Sequence, residues 1–457
     1  MGILALHKAS EKPGPEGKNW EPSPSGCGLP PMMCRIAHID TAMDYRGGQE
    51  QLLQLARGMS QRGHEQLIVC PEGSCLEQRS QNAGFRVFAL PAHDPGNAHG
   101  ILLLRQCLLA DPVDIVHAHD GKGQTISWLA TLAMPVRRVA SRLVLYRPRR
   151  LAGGAFVQYL KYQYTCHGVI AVAEYVKKLL VNAGMSASKI EVIPVGIEWP
   201  EEPPTSELRS RVRAGWGFGE DEFVVGHLAA FTPEKGQDIA IEAAILLAHQ
   251  LPTLRVLLAG EATAPALSRL ASRLREAAHH VRVMGYQENT ADFLAGLDLY
   301  IMPSRAEGLP ASVVRAMASG LAVVASRVGG LPEIVDEART GWLIEPASPS
   351  ALAEAIMSAA GNPARCKQFG LNGRERARQF SVDVMANRTE ALYCRLLSGV
   401  VCGAPHPPGS NGAGKAALLR QHVVDAPDSA RHDCPMKREG RGGAATGTVS
   451  CPWQPSL

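Results

Sequence analysis

Cys34-Arg-Ile-Ala-His-Ile-Asp40 is followed by Gly47-Gly48, by Leu52, Leu53, Leu55 and Met59 at helical spacing, and by Gln66-Leu-Ile-Val-Cys70. The outer runs are short and apolar, as buried strands are, and the helical period between them stops at Gly63. Strand, glycine turn, helix, strand is one unit of a parallel sheet. The unit recurs at residues 85–90, at Asp114-Ile-Val-His-Ala-His119, and at Gly168-Val-Ile-Ala-Val172 before a helix over 175–182. Glu191-Val-Ile-Pro194 closes the series. Trp199-Pro-Glu-Glu-Pro-Pro-Thr-Ser206 reads as an extended connection, because its prolines resist helix and sheet alike. The rhythm restarts at Phe223-Val-Val-Gly226 and runs through a helix over 238–249, Leu254-Arg-Val-Leu-Leu258, Val281-Arg-Val-Met284, Asp298-Leu-Tyr-Ile-Met302 and Ala322-Val-Val-Ala325. The expected fold class is α/β, two doubly wound domains facing a cleft. Ligands in such sheets bind beyond the carboxyl ends of the strands.

The boundaries expected are 32–197 for the first domain, 198–206 for the linker, 207–382 for the second domain and 383–398 for a final helix. Residues 1–31 are rich in Pro and Gly; they read as disordered, or as translation upstream of a start near Met32 or Met33. Residues 399–457 read as a disordered tail, dense in Gly, Pro, Ser and Arg. A length of 457 residues with 46% apolar content suffices for two cores. The net charge of +4 makes no general case for nucleic acid. The eleven cysteines form no CxxC pair and suit a reducing compartment. No run approaches the roughly 18 apolar residues of a membrane span, and no signal-peptide pattern precedes Met32. A cytoplasmic location is expected.

The stretch that carries chemistry is Pro303-Ser-Arg-Ala-Glu-Gly-Leu-Pro-Ala-Ser-Val-Val-Arg-Ala-Met-Ala-Ser-Gly320, with Gly329-Gly-Leu-Pro-Glu333 beyond it. It reads as a strand end, an acidic turn and a helix opening at Pro310, a residue suited to a first helical turn. Backbone amides near Gly308 and Leu309 would then point outward at a helix N-terminus, a natural phosphate site. Glu307 beside them suits sugar hydroxyls better than phosphate. Its plain alternative is a cap on the helix.

This stretch resembles the donor-site signature of the family 4 retaining glycosyltransferases, the group 1 glycosyl transferases of GT-B architecture, built from two Rossmann-like domains. In that family a glutamate begins Glu-Gly-x-Pro, and a second follows after seven residues in a helix continuing Ala-Met-Ala-x-Gly. Glu307, Gly308, Pro310, Ala316, Met317, Ala318 and Gly320 match. Thr232-Pro-Glu-Lys-Gly236 is similar to the family's loop whose lysine, here Lys235, contacts the donor diphosphate. Tyr45-Arg-Gly-Gly-Gln-Glu50, with Gly47 and Gly48, resembles its N-terminal glycine loop. His117-Ala-His119-Asp120 resembles the segment in which a histidine approaches the reacting sugar; His119 is preferred, on the expectation that alternation turns His117 the other way. No further ligand cluster supports a metal at this His-x-His-Asp run.

The resemblance implies sugar transfer with retention from a nucleotide-diphosphate sugar to a cell-surface glycan or lipid-linked acceptor, such as lipopolysaccharide, without metal or other cofactor. Glu307 and His119 would be catalytic. Lys235, Gly308, Leu309, Pro310 and Arg315 would bind the donor. Two positions depart from the pattern: the second glutamate is Arg315, and an arginine usual before Lys235 is Ala230. These departures keep open a catalytically weakened relative; a nucleotide-sugar epimerase stays open separately, because a related enzyme class shares the architecture. A dinucleotide-dependent dehydrogenase is disfavoured because no GxGxxG occurs. Arg137 to Arg150, with apolar residues interleaved, suits a phosphorylated acceptor or an anionic membrane surface, with peripheral attachment to the inner face of the cytoplasmic membrane, or else a solvated loop and helix face.

Overall fold

The computed structural model describes residues 33–142 and 161–398, together with the short strand Val423–Val424. The N-terminal segment before Met33, most of the expected tail, and Arg147, Arg149 and Arg150 of the basic stretch lie outside the described residues.

The first sheet contains β1 (Arg35–Ile39), β2 (Glu65–Pro71), β3 (Arg86–Leu90), β4 (Ile115–Ala118), β5 (Arg137–Arg142), β6 (Gly168–Ala171) and β7 (Ile190–Val192). The second contains β8 (Phe223–Leu228), β9 (Leu254–Ala259), β10 (Val281–Gly285), β11 (Leu299–Met302), β12 (Ala322–Ser326) and β13 (Gly341–Ile344). Their orders are β3-β2-β1-β4-β5-β6-β7 and β10-β9-β8-β11-β12-β13, every pair parallel. Each sheet starts in its middle and reverses direction beside its first strand. The two crevices for ligands therefore lie beyond β1 and β4, and beyond β8 and β11. β14 (Val423–Val424) adds an antiparallel edge to β3, so two residues of the expected tail take a place in the sheet.

Besides β14, two strands escape the sequence reading. β13 is one. The other is β5, the first part of the basic stretch, which is neither a solvated loop nor a helix face. Val139, Ala140 and Ser141 are buried there. Two of its three arginines find partners: Arg138 Nε donates to the Thr165 carbonyl at 2.7 Å, and Arg142 lies 5.2 Å from the Tyr162 ring centroid and donates to its hydroxyl. Arginine stems pack while their heads find partners.

The final helix, Val382–Ser398, returns to the first domain. It packs so tightly on the helix Gly47–Gln61 that a Cβ at Gly58 would lie 2.9 Å from Val382 Cγ1. The proline-rich connection is tied down as well. The guanidinium groups of Arg374 and Arg378 both lie over the Trp199 ring, at 5.0 and 4.9 Å, and Arg374 donates to the Pro200 carbonyl. One apolar core continues from Val169, Val172 and Val176 into Leu309, Val313 and Leu331, joining the two domains.

Candidate active site

Beyond β8 the chain turns through Pro233–Lys235 into Gly236, whose φ of 73° and position against the Pro303 carbonyl suit only glycine. That close approach brings the loops after β8 and β11 together. Lys235 Nζ donates to both carboxylate oxygens of Glu307, at 2.8 and 2.9 Å, and Ser304 Oγ donates to Glu307 Oε1 at 2.7 Å. Glu307 is buried, whereas the Lys235 side chain keeps 28% of its exposure. Gly330 N donates to the Gly308 carbonyl at 2.8 Å, and Gly329, at φ 58°, leaves no space for a Cβ beside the Glu307 carbonyl. The Gly329-Gly330 pair therefore shapes the Glu307 loop. Leu309 is buried, and Pro310 precedes the helix Ala311–Ala318 without a side-chain cap; the Val313 amide turns back to the Pro310 carbonyl at 3.2 Å, which leaves the amides of Ala311 and Ser312 for another acceptor.

Arg315, on that helix, donates to the Glu50 carboxylate in the first turn of Gly47–Gln61, across the cleft. The two domains touch again where Glu333 accepts from the amides of Glu174 and Tyr175 at 2.9 and 2.8 Å. The helix Glu174–Asn182 follows Ala173, which has no capping side chain, so Glu333 caps it from the other domain. Burial raises the Glu333 pKa in spite of these bonds. The sequence marked Glu333 only as part of a motif; the amides it caps come from a remote segment.

Two carboxylates, Asp40 and Asp120, stand at the strand ends of the first domain. Asp40, after β1, receives Gln49 Nε2 on both oxygens at 2.9 and 3.0 Å and the Ala42 amide at 2.9 Å. Burial, then the nearby Asp120 charge, pushes its pKa up to about 6. Asp120 caps the helix Gly121–Ala130 through the Gly123 amide and accepts from Thr41. Both act as braces. Gln49 also accepts from the Arg46 amide at 3.0 Å, so Asp40 holds the start of the helix that opens with Gly47 and Gly48, which the sequence reading takes for a loop.

His38 on β1 and His117 on β4 are register partners. His119 follows two residues after His117, and its ring lies 4.2 Å from that of His117. Residues two apart share a face. The expectation that alternation separates His117 from His119 is therefore wrong, and the structure corrects it. Their surroundings do separate them. His117 is sealed between Tyr393 Oη at 2.7 Å and Ser141 Oγ at 2.8 Å, whereas His119 is 8% exposed at the strand end. His38 Nδ1 lies 2.9 Å from His119 Nε2, and His38 Nε2 lies 2.9 Å from Gln66 Oε1. Burial depresses the pKa of all three rings.

His38 is a functional candidate that the sequence reading passes over, and it completes a third nitrogen donor beside His117 and His119. One ligand atom from each lies within 4.8 Å of the others, close enough for a metal. Five of the six ring nitrogens already have hydrogen-bond partners, so a cation would have to displace several of them.

Residues 209–376 match the family model described as Glycosyl transferases group 1, and residues 45–198 match that of Glycosyltransferase Family 4. A GDP-mannose-dependent alpha-(1-6)-phosphatidylinositol monomannoside mannosyltransferase of Mycolicibacterium smegmatis is 28% identical over 78% of this chain and 95% of its own. EpsD of Bacillus subtilis is 30% identical over 63% of this chain and 78% of its own. Anabaena Alr3699/HepE in complex with UDP and glucose has the same fold, with a TM-score of 0.71 at 22% identity over 80% of this chain and 100% of that one. The family's donor signature falls at the β8–β11 switch point, and its models match both domains: the chain belongs to the family 4, group 1 glycosyltransferases of GT-B architecture.

Proposed function

We propose that this enzyme transfers a sugar, with retention of anomeric configuration, from a nucleoside-diphosphate sugar to a glycan or lipid-linked acceptor. The observation that carries the reading is the Lys235–Glu307 pair at the β8–β11 switch point, beside an uncapped helix start. Lys235 and the amides near Gly308 and Leu309, with Pro310 opening the helix, hold the diphosphate and stabilise the leaving group as charge develops. Glu307 orients the sugar hydroxyls. His119 lies on the acceptor side, and Gly47 and Gly48 let backbone approach the donor. The HepE complexes with UDP and glucose, and the GDP-mannose dependence of the mycobacterial relative, support a nucleotide-sugar donor. Retention by same-face substitution fits a first domain whose strand-end carboxylates, Asp40 and Asp120, are both engaged as braces.

Incubation with UDP- and GDP-sugars and a panel of lipid-linked acceptors, followed by NMR of the product, tests this. A product with the donor's anomeric configuration is expected; an inverted product would sink the retaining mechanism. Conversion of donor without acceptor would assign an epimerase, and binding without any turnover would assign a weakened relative.

Among the described residues no helix is long and apolar enough to cross a membrane. Peripheral attachment through Arg147, Arg149 and Arg150 on the cytoplasmic face is part of the proposal, with the lipid-linked acceptor as its motive. Replacing the three by Ser weakens sedimentation with anionic vesicles at low salt, and a wild type that never sediments overturns it.

A further inference from the structure

A line of hydrogen bonds runs from a backbone carbonyl to the cleft. The His64 carbonyl oxygen can only accept, and Gln66 Nε2 donates to it at 3.0 Å. A flipped Gln66 amide would set oxygen against oxygen, so Oε1 faces His38 Nε2 at 2.9 Å. That oxygen also only accepts, so His38 Nε2 carries a proton. Burial keeps His38 neutral, its pKa pushed down to about 4, and its Nδ1 is therefore a bare lone pair. This lone pair meets His119 Nε2 at 2.9 Å. Two bare nitrogens would repel at that distance, so His119 Nε2 carries a proton as well. His119 is held neutral by the same burial, which leaves Nδ1 unprotonated. No group among the described residues hydrogen-bonds Nδ1, and His119 is 8% exposed where His38 and His117 are 0%.

We propose that His38 and Gln66 are positioning residues that fix His119 in the Nε2–H tautomer, so that its Nδ1 meets the cleft as an obligate hydrogen-bond acceptor. Such a nitrogen selects a hydroxyl-bearing ligand and disfavours a carbonyl or carboxylate oxygen at the same place, because neither brings a proton. That consequence rests on the proposed place of His119 beside the reacting sugar; the tautomer does not.

Long-range 1H–15N NMR of the full chain, labelled at the histidine rings, reads both nitrogens, with His119 assigned by the signals lost in His119→Gln. At pH 7.5 we expect a protonated, pyrrole-like Nε2 and an unprotonated, pyridine-like Nδ1, unchanged by EDTA. His38→Phe removes the acceptor and gives a mixture of tautomers. His38→Asn keeps an acceptor oxygen near the place of Nδ1 and preserves the wild-type pattern. An Nδ1–H tautomer or a cationic ring in the wild type overturns the proposal. A pattern that changes with EDTA assigns the three histidines to a metal and overturns it too. A His38→Phe spectrum identical to wild type removes His38 from the role. The wild-type spectrum decides the tautomer even where a variant fails to fold. No substrate enters the test, so a failed transferase assay and a failed tautomer assignment remain separate results.

Discussion

Arg315 of the second domain and Glu50 of the first are ion-paired across the cleft. Arg315 stands where the family has a glutamate, and a fold-back over the donor phosphates is the geometry its helix position suggests. The side chain instead reaches the first turn of Gly47–Gln61, beside Gly47 and Gly48. A diphosphate would compete with Glu50 for this guanidinium, and Ala230 offers no second cation. Glu50→Gln is expected to tighten binding of UDP or GDP. Arg315→Ala is expected to weaken it about 10- to 100-fold, the equivalent of roughly 1.5–3 kcal/mol for a charge-assisted bond. Calorimetric titration of the two variants and their double mutant measures the coupling. A neutral Arg315→Ala would end the role.

Lys235 and Glu307 share a salt bridge but not an environment: their side chains are 28% and 5% exposed. Lys235→Met leaves a buried carboxylate with only Ser304 as a partner. Glu307→Gln leaves an ammonium that can turn to water. Lys235→Met should therefore cost on the order of 2–3 kcal/mol and Glu307→Gln about 1 kcal/mol, in urea denaturation. Glu307→Gln should nevertheless abolish most turnover. Equal stability losses in the two variants would contradict the asymmetry, and an unchanged rate in Glu307→Gln would remove it from catalysis.

The proposed donor half of the site was legible because its chemistry is local: Lys235 precedes a glycine, and Glu307 opens a motif eight residues from Arg315. The first-domain half was legible only in part: His117 and His119 end an evident strand, but their partners do not show in the sequence. His38 lies in an apolar strand and reads as core until β1 pairs with β4 and sets it beside His117. Glu333 caps amides about 160 residues away in sequence, a partnership that spacing cannot show. β5 hid because arginines at strand positions resemble a solvated surface, and only tertiary partners such as Thr165 and Tyr162 explain them.

Gly329 offers a sharper test of the donor loop than a charge change does. Its φ of 58° disfavours any Cβ, and that Cβ would collide with the Glu307 carbonyl oxygen. Gly329→Ala should cost more than about 1–2 kcal/mol and displace Glu307 from Lys235. Gly47 has nothing within 4 Å of an added Cβ, so Gly47→Ala should leave the melting temperature nearly unchanged. Thermal unfolding of both variants, side by side, checks the contrast. A Gly329→Ala protein as stable and active as wild type would show that the loop relaxes freely.

Acid should loosen the fold through its buried histidines. Burial pushes the pKa of His38 and of His227 down to about 4 from an ordinary 6.5. A ring whose folded pKa is depressed contributes stability that is complete above the unfolded value and is lost as pH falls from 6.5 toward 4. Each ring so shifted is worth on the order of 3 kcal/mol across that window. Asp40 works against them. Its pKa is raised to about 6, so its burial cost is present when it is ionised and is relieved as pH falls from 6 toward 3.8. Glu333, raised by burial, works in the same sense as Asp40, but His117 and His119 shift with His38 and His227, and the four histidines outweigh the two carboxylates. Stability should therefore fall from pH 7 to pH 4.5. His227 isolates one proton of this effect, because it lies away from the cleft histidines and its Nδ1 donates to the Ile301 carbonyl at 3.0 Å. An asparagine there can keep that donor without a titrating ring. Urea denaturation of wild type and His227→Asn at several pH values should show the wild type losing more stability on acidification than the variant. Parallel curves for the two proteins would show that His227 charges without cost, and stability that rises toward pH 4.5 would reverse the sign of the whole account.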